Sequence, residues 1–310
     1  MKTRLILWAI ALALLVALPP FVSWLGQPFY IDLVRRIMIL AIAAVSLNLI
    51  LGYGGIVSFG HAAYLGIGAY AVGILGFYGI TSGWLHWALA IGASALVALA
   101  IGAVSIRTSG VYFIMITLAF TQMLYYLGIS LEEFGGDDGM RLRSKSEFAG
   151  LVDLGDPVEF YYLTLALMML SVFLVFRLVN SRFGMVLRAC KSNEARTRAI
   201  GFSPYPYRLA AFVIAGAMCG LAGALYANHT NYIVPGLMSW QQSGDIMFMV
   251  ILGGMASTAG PVLGTFALLL VEEVLKGWTE HWQVWLGPLL VLSVIFFRRG
   301  LAGIFYKPDA

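Results

Sequence analysis

The sequence predicts an all-α bundle of membrane-spanning helices, and three observations carry that prediction. Hydrophobic residues make up 61% of the 310-residue chain and charged ones only 11%, against roughly 45–50% and about 25% in an ordinary soluble domain. The mean hydropathy is +0.88. Apolar runs follow one another from Leu5 to Phe297, with one long polar interruption and one long basic one. A soluble domain could not hide so much apolar surface, and the gaps leave no room for a separate globular unit. Residues 1–310 therefore read as a single transmembrane domain.

A hydrocarbon core of about 30 Å needs about 20 apolar residues in helix, because lipid offers no partner to unpaired backbone groups. Spans are expected at 5–25, 31–52, 56–80, 84–105, 110–131, 160–179, 207–230, 240–258, 261–276 and 283–297. The first follows Lys2 and Arg4 and resembles a signal peptide. Pro19-Pro20 and Phe21–Trp24, however, stand where a small-residue cleavage site belongs, so it reads as a retained span. The short stretches 261–276 and 283–297, and the glycine-interrupted 52–79 and 252–264, are alternatively broken or re-entrant helices. The count is then about 8–10 spans.

Charge sets the orientation. Between Glu132 and Glu159 stand eight acids against three bases, whereas 182–208 holds six bases (Arg182, Arg188, Lys191, Arg196, Arg198, Arg208) against Glu194 alone. By the positive-inside bias, 132–159 is an acidic periplasmic loop and 181–206 a cytoplasmic one. Lys2 and Arg4, with Arg298, Arg299 and Lys307, place both termini in the cytoplasm, which requires an even number of spans. Arg35-Arg36 does not fit, since it falls near the outer end of the second span; lining an aqueous surface or snorkelling outward would reconcile it. Cys190 falls in the basic loop and Cys219 inside a helix, so both read as packing residues.

Three features exceed what a passive anchor needs. Glycines cluster at Gly52-Tyr53-Gly54-Gly55, Gly60 and Gly66, and again at Gly253-Gly254, Gly260 and Gly264. Close helix packing explains most single glycines, including Gly216, Gly220 and Gly223. The two clusters also share an order of Leu, Ser, Gly and Leu-Gly, a weak repeat of the kind that marks a transport path. Polar residues lie at membrane depth: Asn48, Ser58, His61, Thr117, Gln122, Asp245 and Glu272. For His61 two readings stand, a histidine bonded to a neighbouring carbonyl or a substrate or proton contact. The third feature is the basic loop, whose helix formers, Glu194/Arg198 pair and Gly201/Pro204 stop predict a short surface helix. It is either an ordinary loop against anionic lipid or a docking element for a motor.

Enzyme classes find no support: the chain has no nucleotide loop, no nucleophile elbow and no H-E-x-x-H, and its four histidines lack ligand spacing for a metal. If ATP drives transport, another chain must bind it.

Three segments, in order, resemble the membrane subunits of bacterial ATP-binding-cassette importers for branched-chain amino acids, and of the longer, M-type permease among them. They are Ser46 to Tyr70, Ser181 to Gly201, and Leu252 to Gly264. Gly135–Gly139 and Arg299–Gly303 resemble the family's outer-loop glycine motif and carboxy-terminal signature. The resemblance implies an inner-membrane, multi-pass permease that partners an H-type permease, two ATP-binding subunits and a periplasmic binding protein, with no cofactor and no nucleic acid. Related importers carry urea or short amides, and an ATP-independent channel or secondary transporter is the rival class. Glu194, Ala195 and Gly201 match the family's ATPase-coupling element, to which Arg188 and Arg198 of the same loop are added. Where importers often carry Leu-Pro, this chain has Phe202-Ser203-Pro204. The translocation path is assigned to Asn48, Gly54, Gly55, Ser58, His61, Gly253 and Gly254.

Overall fold

The computed structural model describes residues 12–22, 26–150, 152–296 and 300–305. The terminal bases Lys2, Arg4, Arg298, Arg299 and Lys307, and Trp24 at the end of the first span, lie outside them. Among the described residues the chain is a helical bundle: α1 (Leu12–Val22), α2 (Phe29–Asn48), α3 (His61–Phe77), α4 (Gly83–Ser105), α5 (Val111–Ser130), α6 (Pro157–Val179), α7 (Arg182–Ser192), α8 (Glu194–Ala199), α9 (Pro204–Thr230), α10 (Trp240–Gly253), α11 (Gly260–Trp278), α12 (Trp282–Phe296) and α13 (Ala302–Phe305). Each expected span contains a helix. Five of them, α2 with the turn that follows it, α4, α5, α6 and α9, are long and apolar enough to cross a membrane.

Helix α2 is the axis of the bundle. From Ile37 to Asn48 no residue is more than 2% exposed, as expected of a segment apolar on every side. It is enclosed by α6, α9, α10 and α11. Helix α9, the longest, packs against α4 and α3 through small residues. A Cβ at Gly220 would lie 2.2 Å from Ser94 Oγ of α4, and one at Gly223 would lie 1.9 Å from the Leu65 carbonyl of α3. Ser94 Oγ donates to the Tyr64 carbonyl at 3.2 Å, fastening α4 to α3. In lipid such close approach is what holds helices together, since transfer from tail to tail gains nothing. The packing reading of Gly216, Gly220 and Gly223 therefore stands.

The acidic loop closes one end of the bundle. Its strand β1 (Met140–Arg141) pairs antiparallel with β2 (Tyr232–Ile233). Ser146 is held from both sides: its backbone N–H donates to Asn228 Oδ1 at 2.8 Å, and its Oγ lies 2.7 Å from His86 Nδ1. Phe148 packs between Trp84 and Trp87. The basic loop, α7 and α8, lies at the opposite end, and Ala302 of the C-terminal segment is buried there, its neighbour Leu301 donating from N–H to the Leu252 carbonyl at 2.8 Å.

Two expected boundaries move. Helix α3 begins at His61 rather than 56, and α10 ends at Gly253 rather than 258. Both intervals are unwound backbone, the broken form that the glycine interruptions in 52–79 and 252–264 offered as the alternative. The misfit of Arg35-Arg36 is met by one partner on the same helix, Asp32, and by others distant in sequence. Buried Arg35 pairs with Asp32, donates from Nε to His229 Nδ1 at 3.0 Å and stacks 4.6 Å over Phe160. Arg36 lies 3.7 Å from Glu272, which also holds Lys276 at 2.6 Å. Both guanidinium groups thus have anionic partners, which is what such groups need at this depth.

Candidate functional site

Two helix breaks lie side by side toward the basic-loop end. At the first, α2 passes into a π turn over Leu49–Tyr53, with the Gly54 N–H donating to the Leu49 carbonyl at 3.2 Å. The chain then turns at Gly55, whose φ of +68° suits glycine, and re-enters helix at His61. At the second, α10 stops at Gly253 and α11 starts at Gly260. At each break a serine just ahead of the next helix accepts an N–H at its start: Ser58 Oγ takes Gly60 N and Ser257 Oγ takes Gly260 N, both at 3.2 Å. The weak repeat in the sequence thus falls on two helix breaks, each with a serine bonded to the start of the helix that follows.

Asn48 joins the two breaks. Its Oδ1 accepts the Ala256 N–H at 3.1 Å and its Nδ2 donates to the Ser257 carbonyl at 2.9 Å. Gly52 fills the space between: a Cβ there would fall 2.0 Å from Asn48 Oδ1 and 2.5 Å from Ala256 N. Tyr53 Oη lies 3.2 Å from Thr258 Oγ1. On the other side of the second break, Gly300 fits against Gly254, with a hypothetical Cβ 2.3 Å from Gly254 Cα.

Of the residues assigned to a path, Asn48, Gly253 and Gly254 thus meet at this junction. Gly54 is buried beneath Ile50, and Gly55 is exposed. Ser58 and His61 lie beyond, on the α3 side. His61 is fully buried, with Nε2 2.7 Å from Ser46 Oγ, while Ser46 Oγ donates to the Ala43 carbonyl. Its partner is thus a hydroxyl rather than a carbonyl. Thr117 and Thr121 pack under Gly60. Asp245 lies exposed on α10 on the same face as Gln241, and Glu272 belongs to the Arg36 pair described above.

The basic loop is two helices, not one. Asn193, in extended conformation with φ −159°, ends α7 and caps α8 by accepting the Arg196 N–H at 2.9 Å. Glu194 accepts from Arg198 Nη2 at 2.5 Å and from Arg208 Nη1, in the first turns of α9, at 2.6 Å. Arg208 also donates to the Cys190 carbonyl at 3.3 Å. Arg188 donates to the Val179 carbonyl at 3.2 Å, completing the end of α6. Gly201, with φ +91°, closes α8 in a Schellman turn: its N–H donates to the Arg198 carbonyl and that of Phe202 to the Thr197 carbonyl. Ala195, Ala199 and Ile200 are left exposed, Ile200 at 70%. The result is a small, braced projection with an apolar tip.

Two residues of this unit escaped sequence reasoning except as bases. Lys191, in the last turn of α7, donates from Nζ to the Gly52 carbonyl at 2.6 Å. Nothing in its neighbourhood announces that partner. Arg208 did carry a signal: a cation near a helix N-terminus opposes the helix dipole and calls for an acid, and Glu194 is the one acid of the loop.

Residues 29–297 match the family model described as branched-chain amino acid transport system / permease component. The chain is 29% identical to the high-affinity branched-chain amino acid transport system permease protein LivM of Salmonella typhimurium, over 95% of this chain and 74% of that protein. The Escherichia coli protein of the same name gives the same figures. A probable LivM of Methanocaldococcus jannaschii is 26% identical over 90% of this chain and 93% of its own. No solved structure matches.

Proposed function

Because the chain belongs to the family of branched-chain amino acid transport system permease components, a family of transport permeases and not of enzymes, we propose that it is the membrane-spanning half of an ATP-driven importer. In this reading it sits in the bacterial inner membrane with both termini and the α7–α8 unit in the cytoplasm, and pairs with a second, H-type permease. One of two ATP-binding subunits docks on α8, and a periplasmic binding protein delivers a branched-chain aliphatic amino acid to the acidic-loop end.

The observation that carries the reading is the construction of α8. A six-residue helix has little stability of its own, yet this one is capped at both ends and tied by Glu194 to Arg208 of α9, the helix against which α3 and α4 pack. Force on the exposed tip at Ala195, Ala199 and Ile200 would therefore reach the bundle rather than bend a loose loop.

The test is a complete importer in proteoliposomes, assayed for ATP hydrolysis and for uptake of radiolabelled leucine, isoleucine and valine. Glu194→Ala is expected to leave the complex assembled and hydrolysing ATP while uptake falls at least about tenfold, the equivalent of about 1.4 kcal/mol. Normal uptake in that variant would sink the coupling assignment. A topology reporter fused beside Gly139 is expected to signal from the periplasm, and a cytoplasmic signal would overturn the orientation.

A further inference from the structure

We infer that Lys191 is the positioning residue through which motion of the α7–α8 unit reaches the first helix break; this rests on the importer reading above. At the π turn the ordinary helical bonding of α2 gives out. The carbonyls of Leu49, Ile50 and Leu51 are met by the N–H groups of Gly54, Ile56 and Gly55. The Gly52 carbonyl is met by the Lys191 ammonium, 2.6 Å away. A cation at the carbonyl end of a helix is the favourable sign of charge, and an ionised donor makes the bond stronger than a neutral one.

The lysine stem takes part as well. A Cβ on Gly55 would stand 2.7 Å from Lys191 Cγ, so the turn of the re-entrant segment rests directly on the side chain. Gly52 is at the same time wedged against Asn48 and the Ala256 N–H of the second break. A displacement of Lys191 is thus felt at both breaks through one residue.

The segment has room to respond. A half-open cleft of about 120 Å³ lies between Gly55–Val57 and the turn that joins α4 to α5. Arg208, the partner of Glu194, lines its edge, and among the described residues its buried Nε makes no hydrogen bond. The re-entrant segment is therefore held on one side by α7 and bordered on another by the residue that anchors α8.

The experiment compares wild type, Lys191→Met, Lys191→Arg and Glu194→Ala as complete importers in proteoliposomes, reading ATP hydrolysed per leucine delivered. Lys191→Met keeps the stem and removes the charge; it is expected to raise that ratio at least about tenfold, with Lys191→Arg recovering most of the loss. Hydrogen exchange of residues 52–60, with and without ATP and vanadate, is the second readout. A nucleotide-dependent change is expected in wild type and should vanish in Lys191→Met, although the complex is intact. A wild-type ratio and a wild-type exchange response in Lys191→Met, beside an uncoupled Glu194→Ala, would overturn the role of Lys191 alone. Nucleotide-independent uptake by the wild type would overturn the importer reading itself.

Discussion

Replacing Asn48 by leucine is expected to abolish uptake, by at least about a hundredfold, and to lower the melting temperature of the detergent-solubilised protein. The amide of Asn48 makes two hydrogen bonds to backbone of the second break, 208 and 209 residues away. Leucine matches its size roughly but supplies neither bond, leaving the Ala256 N–H and the Ser257 carbonyl without their partner. Both bonds are part-buried, and a hydrogen bond contributes about 0.5–1.5 kcal/mol net, so the loss is about 1–3 kcal/mol, or about 2–5 °C at this chain length. Asn48→Asp retains an acceptor for Ala256 while losing the donor to Ser257, and should fall between. An Asn48→Leu protein that melts and transports like the wild type would show that the two breaks are not held together by this residue.

The second large effect is expected at Gly223, where α9 meets α3. A Cβ there would lie 1.9 Å from the Leu65 carbonyl and 3.0 Å from Ala69 N. Both are backbone atoms, so no side-chain rotation relieves the clash and the helices must separate. Gly223→Val should cost on the order of 4 kcal/mol or more, an exceptionally large effect for one substitution, and the protein should accumulate poorly in the membrane. Gly244→Ala is the control. Nothing lies within 4 Å of a Cβ at that position of α10, and alanine is the better helix former by about 0.5–1 kcal/mol. Equal expression of the two variants would refute the packing account of α9.

The contrast between these two glycines illustrates what the sequence could and could not disclose. Helices within all ten expected stretches were legible from hydrophobic run length, although among the described residues five are long and apolar enough to cross a bilayer. The breaks before α3 and after α10 were signalled by their glycines, but their exact bounds were not, since glycine and its apolar neighbours score alike whether wound or unwound. The likeness of the two clusters was visible, and so was the oddity of an asparagine at membrane depth. That Asn48 bridges the clusters was not, because its partners are backbone groups more than two hundred residues away. Arg35 and Arg36 looked misplaced partly for the same reason: Asp32, one turn from Arg35, was in plain view, but His229, Phe160 and Glu272 are contributed by other helices. In the basic loop the Glu194/Arg198 pair followed from helical spacing, whereas the break at Asn193 depended on that residue preferring to cap α8 over continuing α7.

The π turn at Leu49–Tyr53 has a consequence of its own. Such a turn is an α-helix carrying one surplus residue, and the surplus is what sets the direction in which Gly54 and Gly55 leave α2. Removing any one residue between Leu49 and Tyr53 would let the helix close its normal bonding, yet everything beyond would rotate by about 100° and retreat by about 1.5 Å. The chain would gain regularity and lose registration: the Gly52 carbonyl would point away from α7. This stretch should therefore tolerate conservative exchanges such as Leu49→Ile far better than a deletion that, judged locally, improves the helix.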